Sequence, residues 1–99
     1  LSIDHIVTRE VRADGTKGRY VIRHDGAEAE LTYSVVSPEL VIADHTEVPD
    51  AFRGTGAGLA LVTKLVADAR AEGFKVMPLC PFVNAMRKKH PEWADAFSV

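Results

Sequence analysis

The chain contains a single cysteine, Cys80, which excludes an internal disulfide framework and suits a reducing compartment. Strong charge of either sign is also missing. Twelve Lys and Arg against fourteen Asp and Glu give a net charge of −2, so nothing in the balance favours general binding to nucleic acid or membranes. No apolar run approaches the ~20 residues of a membrane span. The opening residues LSIDHIVTRE lack the basic and apolar regions of a signal peptide, which makes a cytoplasmic location the expectation. Aromatic residues are few, and no tyrosine follows Tyr33. His, Cys, Asp and Glu nowhere fall at metal-ligand spacing. Internal repeats, linkers and low-complexity segments are absent.

What remains is ordinary for a small globular protein: 99 residues, 46% hydrophobic and 26% charged, expected to form one domain over 1–99. Its first half reads as strands. Ile6 to Val11 and Arg19 to Arg23 flank the turn-rich Ala13 to Gly18, and Asp25-Gly26 is a second turn signal. Ala27 to Val36 alternates, Ser37-Pro38 interrupts, and Leu40 to Val48 forms a fourth strand with a polar end. The period then changes. From Ala57, residues Leu59, Val62, Leu65, Val66 and Ala69 recur at helical spacing, and Gly73 ends the helix. Phe74 to Leu79 predicts a buried strand, Asn84 to His90 a short helix, and Glu92 to Phe97 a last turn. The order implies an α+β fold with a mixed, mostly antiparallel sheet of about five strands.

Three of the seven glycines, Gly54, Gly56 and Gly58, cluster just before the long helix. Glycine allows a ligand to approach the backbone, and a helix start offers unpaired N–H groups and a positive dipole end. The combination suits an anion such as phosphate. A nucleotide P-loop would need Lys-Ser/Thr after the last glycine, where Leu59-Ala60 stand instead. A dinucleotide fingerprint would need G-x-G-x-x-G in a βαβ unit, and this loop has G-x-G-x-G after an antiparallel region. On spacing alone, a purely structural turn into the helix stays open.

The run Arg53-Gly54-Thr55-Gly56-Ala57-Gly58 resembles the R/Q-x-x-G-x-G/A motif of the GNAT superfamily of acetyl-coenzyme A-dependent N-acetyltransferases. The segments His45 to Pro49, Pro78 to Val83 and His90 to Glu92 are similar to a subfamily of short GNAT-like chains, and the likeness extends over residues 18 to 97. It implies a minimal GNAT-like fold with one long helix after strand four and short C-terminal helices. It further implies that acetyl-CoA or coenzyme A is the cofactor. Thr46, Glu47 and Val48 of a splayed strand four would line the pantetheine arm. Arg53, Gly54, Thr55, Gly56, Ala57 and Gly58 would cradle the pyrophosphate. The acetyl group would pass to an amine on a small molecule, a peptide or a protein.

Many family members protonate the leaving thiolate with a tyrosine after strand five, but Met86 or Arg87 stands in that region here. Cys80 is the candidate replacement, as an acid or as a covalent nucleophile, with a small buried hydrophobe as the plain alternative. His45 and Glu47 share one side of strand four by alternation, and histidine chemistry makes His45 the candidate general base. A hydrogen-bonded strand-end histidine that orders the loop fits equally. Arg87 to His90 reads as a solvated helix face with His90 structural, and Trp93 and Phe97 read as core anchors. His5 and His24 carry no site signal. The short turns at Asp25-Gly26 and Ser37-Pro38 leave no helices between the early strands. An open acceptor side, a partner protein completing it, and a non-catalytic acyl-CoA-binding or sensing module are all compatible with that economy. An interaction domain that binds no cofactor is a third reading, opposed by the intact glycine loop.

Overall fold

The computed structural model describes residues 5–99, and residues 1–4 lie outside the described part. Five strands form one sheet in sequence order: β1 (Thr8–Val11), β2 (Lys17–His24), β3 (Ala27–Ser37), β4 (Leu40–Glu47) and β5 (Lys75–Pro78). The first four pair antiparallel, and β5 runs parallel to β4. A parallel neighbour requires a crossover, and the long helix α1 (Ala57–Glu72) supplies it. Helix α2 (Pro81–Lys89) and a 3-10 segment (Pro91–Ala96) follow, and Ser98 N–H donates to Val76 O along the outer edge of β5. This is the α+β, five-strand mixed sheet expected from the sequence.

The core lies on one face of the sheet. Tyr20, Ile22, Leu31, Tyr33, Val41 and Val76 meet Leu61, Val62, Leu65, Val66 and Ala69 of α1, with Phe52, Val83, Trp93 and Phe97 closing the ends. The alternate strand residues face away from the helices and are mostly polar. The sheet therefore has one covered and one open face, as antiparallel sheets allow.

Several element ends differ from the sequence expectation. Strand β1 begins at Thr8 rather than Ile6, because the segment from His5 to Val7 leaves the sheet and lines a groove against α1. Strand β5 is confined to Lys75–Pro78. Helix α2 starts three residues earlier than Asn84, since Pro81 occupies its first turn, where a missing N–H costs nothing. Gly73 does end α1. It is left-handed at φ 79°, and Gly73 N–H and Phe74 N–H both donate to Ala69 O.

Candidate active site

The site begins where β4 and β5 part. Their ladder runs from Leu40 opposite Lys75 to Ala43 opposite Pro78 and then stops. Cys80 N–H donates to Ala43 O at 2.9 Å and closes the apex of the gap. Beyond it, Asp44–Glu47 keep β3 on one side and have no strand on the other. The side chains of Thr46 and Cys80 meet just past the apex, sharing a hydrogen bond of 3.2 Å between Oγ1 and Sγ. Cys80 is only 2% exposed, so its thiol lies at the bottom of the cleft rather than on the surface. Exposed apolar side chains follow the two strands: Val48 directly after β4, and Leu79 and Phe82 after β5.

Strand β4 carries a bulge at this point. Thr32 pairs with His45 but Tyr33 pairs with Ala43, leaving Asp44 as the extra residue. Regular alternation would send Asp44 to the face opposite Ala43 and return His45 to the core side. The bulge instead holds Asp44, His45 and Glu47 together on the open face, while Thr46 turns toward Cys80. Asp44 Oδ2 accepts from Ser34 Oγ at 2.6 Å, and His45 Nε2 lies 3.8 Å from Glu47 Oε2. His45 and Cys80 are therefore on opposite sides of β4, adjoining the gap from the two faces of the sheet.

The glycine loop lies between β4 and α1, after a 3-10 turn at Asp50–Phe52 that buries Phe52. Gly54 and Gly56 are left-handed, at φ 74° and 80°, a conformation other residues adopt only with strain. Gly56 is the N-cap of α1 and offers no side-chain acceptor. Thr55 Oγ1 accepts from Ala57 N–H and donates to Phe52 O. Among the described residues, the N–H groups of Gly56, Gly58 and Leu59 remain without a partner. Gly58 has a second reason to be glycine that the motif does not reveal: a Cβ there would lie 2.5 Å from Phe82 Cζ. Arg53 is swung outward and pairs with Asp50 Oδ1 at 2.9 Å.

His5, which carries no signal in the sequence, packs beside this loop. Its Cε1 would be 3.7 Å from a Cβ on Gly56, and its buried Nε2 has no hydrogen-bond partner. His90 stacks on Trp93, with centroids 4.2 Å apart, and bonds Glu92, as its structural assignment requires.

Comparison with known proteins turns these features into a family assignment. A model of the GCN5-related N-acetyltransferase family matches residues 19–96, most of the chain. The chain belongs to that family. Protein NATD1 of Xenopus tropicalis is 30% identical over 92 residues, which span 91% of this chain and 84% of that relative. Human Protein NATD1 is 30% identical over 83 residues, spanning 82% and 74%. The solution NMR structure of a GCN5-like protein from Staphylococcus aureus is similar with a TM-score of 0.70 at 28% identity, covering 97% of this chain and 91% of that one. No helix among the described residues is long and apolar enough to cross a membrane.

Proposed function

We propose that this chain, as one domain of the cytoplasm, binds acetyl-CoA and transfers its acetyl group to an amine. The observation that carries the reading is the coincidence of a chain-made gap between β4 and β5 with a glycine-lined helix start where the N–H groups of Gly56, Gly58 and Leu59 have no partner among the described residues. Anionic phosphates fit the second feature, through hydrogen bonds and the helix dipole. A narrow, partly apolar arm fits the first, between Thr46, Glu47 and Val48 on one side and Leu79 and Phe82 on the other. Arg53 reaches the phosphates if it exchanges Asp50 for them. Bound acetyl-CoA supplies an activated acetyl thioester, whose C–S bond is replaced by a C–N amide bond.

The chain's own part is proton handling and placement. An amine arriving over the open face meets His45, which accepts its proton directly or through one water. We assign protonation of the departing sulfur to the Cys80 thiol, which shares a hydrogen bond with Thr46. Cys80 could instead take the acetyl group itself, forming a thioester at Sγ before the amine attacks. The helix-free acceptor face also supports a second reading, a non-catalytic acyl-CoA-binding or sensing module.

Amine-dependent release of free thiol from acetyl-CoA separates these readings. Release that exceeds the protein-free rate and drops at least tenfold in His45→Ala supports the transferase. Tight binding with no release for any amine or peptide supports the sensor. Acetyl found on Cys80 by peptide mapping selects the covalent route, and full activity in Cys80→Ala removes it from the chemistry.

A further inference from the structure

The open face of the sheet carries a groove of about 480 Å³, within the range of small-molecule sites, and its two ends have opposite charge. Lys17 and Arg12 stand at the end nearest the β1–β2 hairpin, and Asp44 stands at the end nearest the β4–β5 gap. Thr32 contributes to the floor between them. Glu10 and Arg19 also line it, but they pair with each other at 2.8 Å, and Glu30 engages Arg19 as well. Arg12 and Lys17 make no ion pair among the described residues. Asp14, across the hairpin turn, is taken up by Thr16 N–H and Oγ1. One hydroxyl spans the space between the poles: Lys17 Nζ donates to Ser34 Oγ over 3.4 Å, and Ser34 Oγ donates to Asp44 Oδ2 over 2.6 Å. The cationic and anionic ends are therefore separated by little more than one polar group.

From this arrangement we infer that the acceptor is a free amino acid, held by both of its charges. Its ammonium rests on Asp44, one residue from His45 and at the start of the gap. Its carboxylate rests on Lys17 and Arg12, with charge-assisted hydrogen bonds at each end. The bulge is what makes this possible, since it keeps His45 on the same face as Asp44. A diamine or a peptide amine without a nearby carboxylate would leave the basic end unmatched, and that mismatch gives the groove its selectivity. This inference rests on the transferase reading for its chemistry but not for its binding test.

The test is calorimetric titration of each proteinogenic L-amino acid and of its carboxyl amide into the protein, without acetyl-CoA. At least one amino acid is expected to bind about tenfold more tightly than its amide, as one lost charge-assisted contact implies. The double variant Arg12→Ala, Lys17→Ala should abolish that preference, weakening the amino acid far more than its amide. Amide NMR shifts on binding should move at Lys17, Ser34 and Asp44. If no amino acid surpasses its amide, or the preference survives the double variant, the inference is overturned. Acetyl-CoA titrated into the same sample reports separately on the transferase reading, so failure of one is distinguishable from failure of the other.

Discussion

Gly56 and Gly58 illustrate how two neighbouring glycines answer to different demands. Gly56 must be left-handed to cap α1 without a side chain, so Gly56→Val strains the backbone and fills the approach to the free N–H groups. Gly58 is in the helix, and its side-chain space belongs to the ring of Phe82. Gly58→Ala is therefore expected to lower unfolding free energy by about 1–3 kcal/mol through overpacking. Adding Phe82→Ala should recover part of that loss in urea denaturation. Equal stability of Gly58→Ala and the parent protein would show that Phe82, which is partly exposed, moves aside freely. Cys80 likewise has two partners, Ala43 O for its N–H and Thr46 Oγ1 for its thiol. Thr46→Val leaves the thiol without that partner, and a slower thiol-release rate at saturating acetyl-CoA is the expected result.

Helix α1 is held to the sheet by more than its apolar stripe. Asp68, nearly buried, accepts from Tyr20 Oη at 2.8 Å and from Arg9 at 3.3 Å, and pairs with Lys64 at 3.1 Å. Arg9 also bonds Tyr33 Oη at 2.9 Å and reaches Glu72. Burial, with the Asp68 hydrogen bond, pushes the Tyr20 hydroxyl's pKa well above the ordinary tyrosine value, so it stays a donor. Burial works against the Arg9 charge, but hydrogen bonds to Glu72 and Tyr33 outweigh it and raise its pKa. Tyr20→Phe is expected to cost about 1–3 kcal/mol, since it leaves a buried carboxylate short of a donor. Leu65→Ala, which empties a fully buried position, should cost about 2–5 kcal/mol. Thermal and urea unfolding of both variants check these values, and a Tyr20→Phe protein as stable as its parent would remove the network from the forces that seat α1.

The ends of α1 were legible because Gly56 and Gly73 are local signals, and the strands of the first half followed from alternation and turns. The bulge at Asp44 was not. Alternation placed His45 and Glu47 correctly relative to each other, but no residue type announces an extra residue in β4. The Arg9–Asp68 contact joins positions 59 residues apart, beyond any periodicity. The start of α2 is not legible because Pro81 can end a strand or open a helix, and it takes the Asn84 N–H bond to Cys80 O to show that the helix has begun. Resemblance supplied the site's purpose; spacing alone left the glycine loop as either a turn or an anion site.

Across the whole molecule, the uncovered sheet face is stitched by ion pairs: Arg19 with Glu10, Glu28 and Glu30, and Arg23 with Glu10 and Glu28. Hydrogen bonds from Arg23 and then Arg19 lower the pKa of Glu10, and Arg23 does the same for Glu28. A carboxylate whose folded pKa is depressed binds fewer protons folded than unfolded. Its stabilisation is present above the ordinary carboxylate pKa of about 4 and is lost as pH falls through the lower folded value. The urea midpoint should accordingly be lower at pH 3 than at pH 6. High salt should narrow the difference, because these pairs are exposed and screened. A midpoint independent of pH over this range would mean that the pairs do not contribute.

The proposed coenzyme A site joins the glycine loop to the β4–β5 gap, and calorimetric titration of acetyl-CoA into the parent protein and Gly56→Val tests that proposal most directly. Saturable one-to-one binding by the parent, reduced at least about a hundredfold in a Gly56→Val protein that keeps its circular dichroism spectrum, is the expected result. No binding by the parent, or equal affinity in both proteins, would contradict the assignment of the glycine loop and the β4–β5 gap as the coenzyme A site.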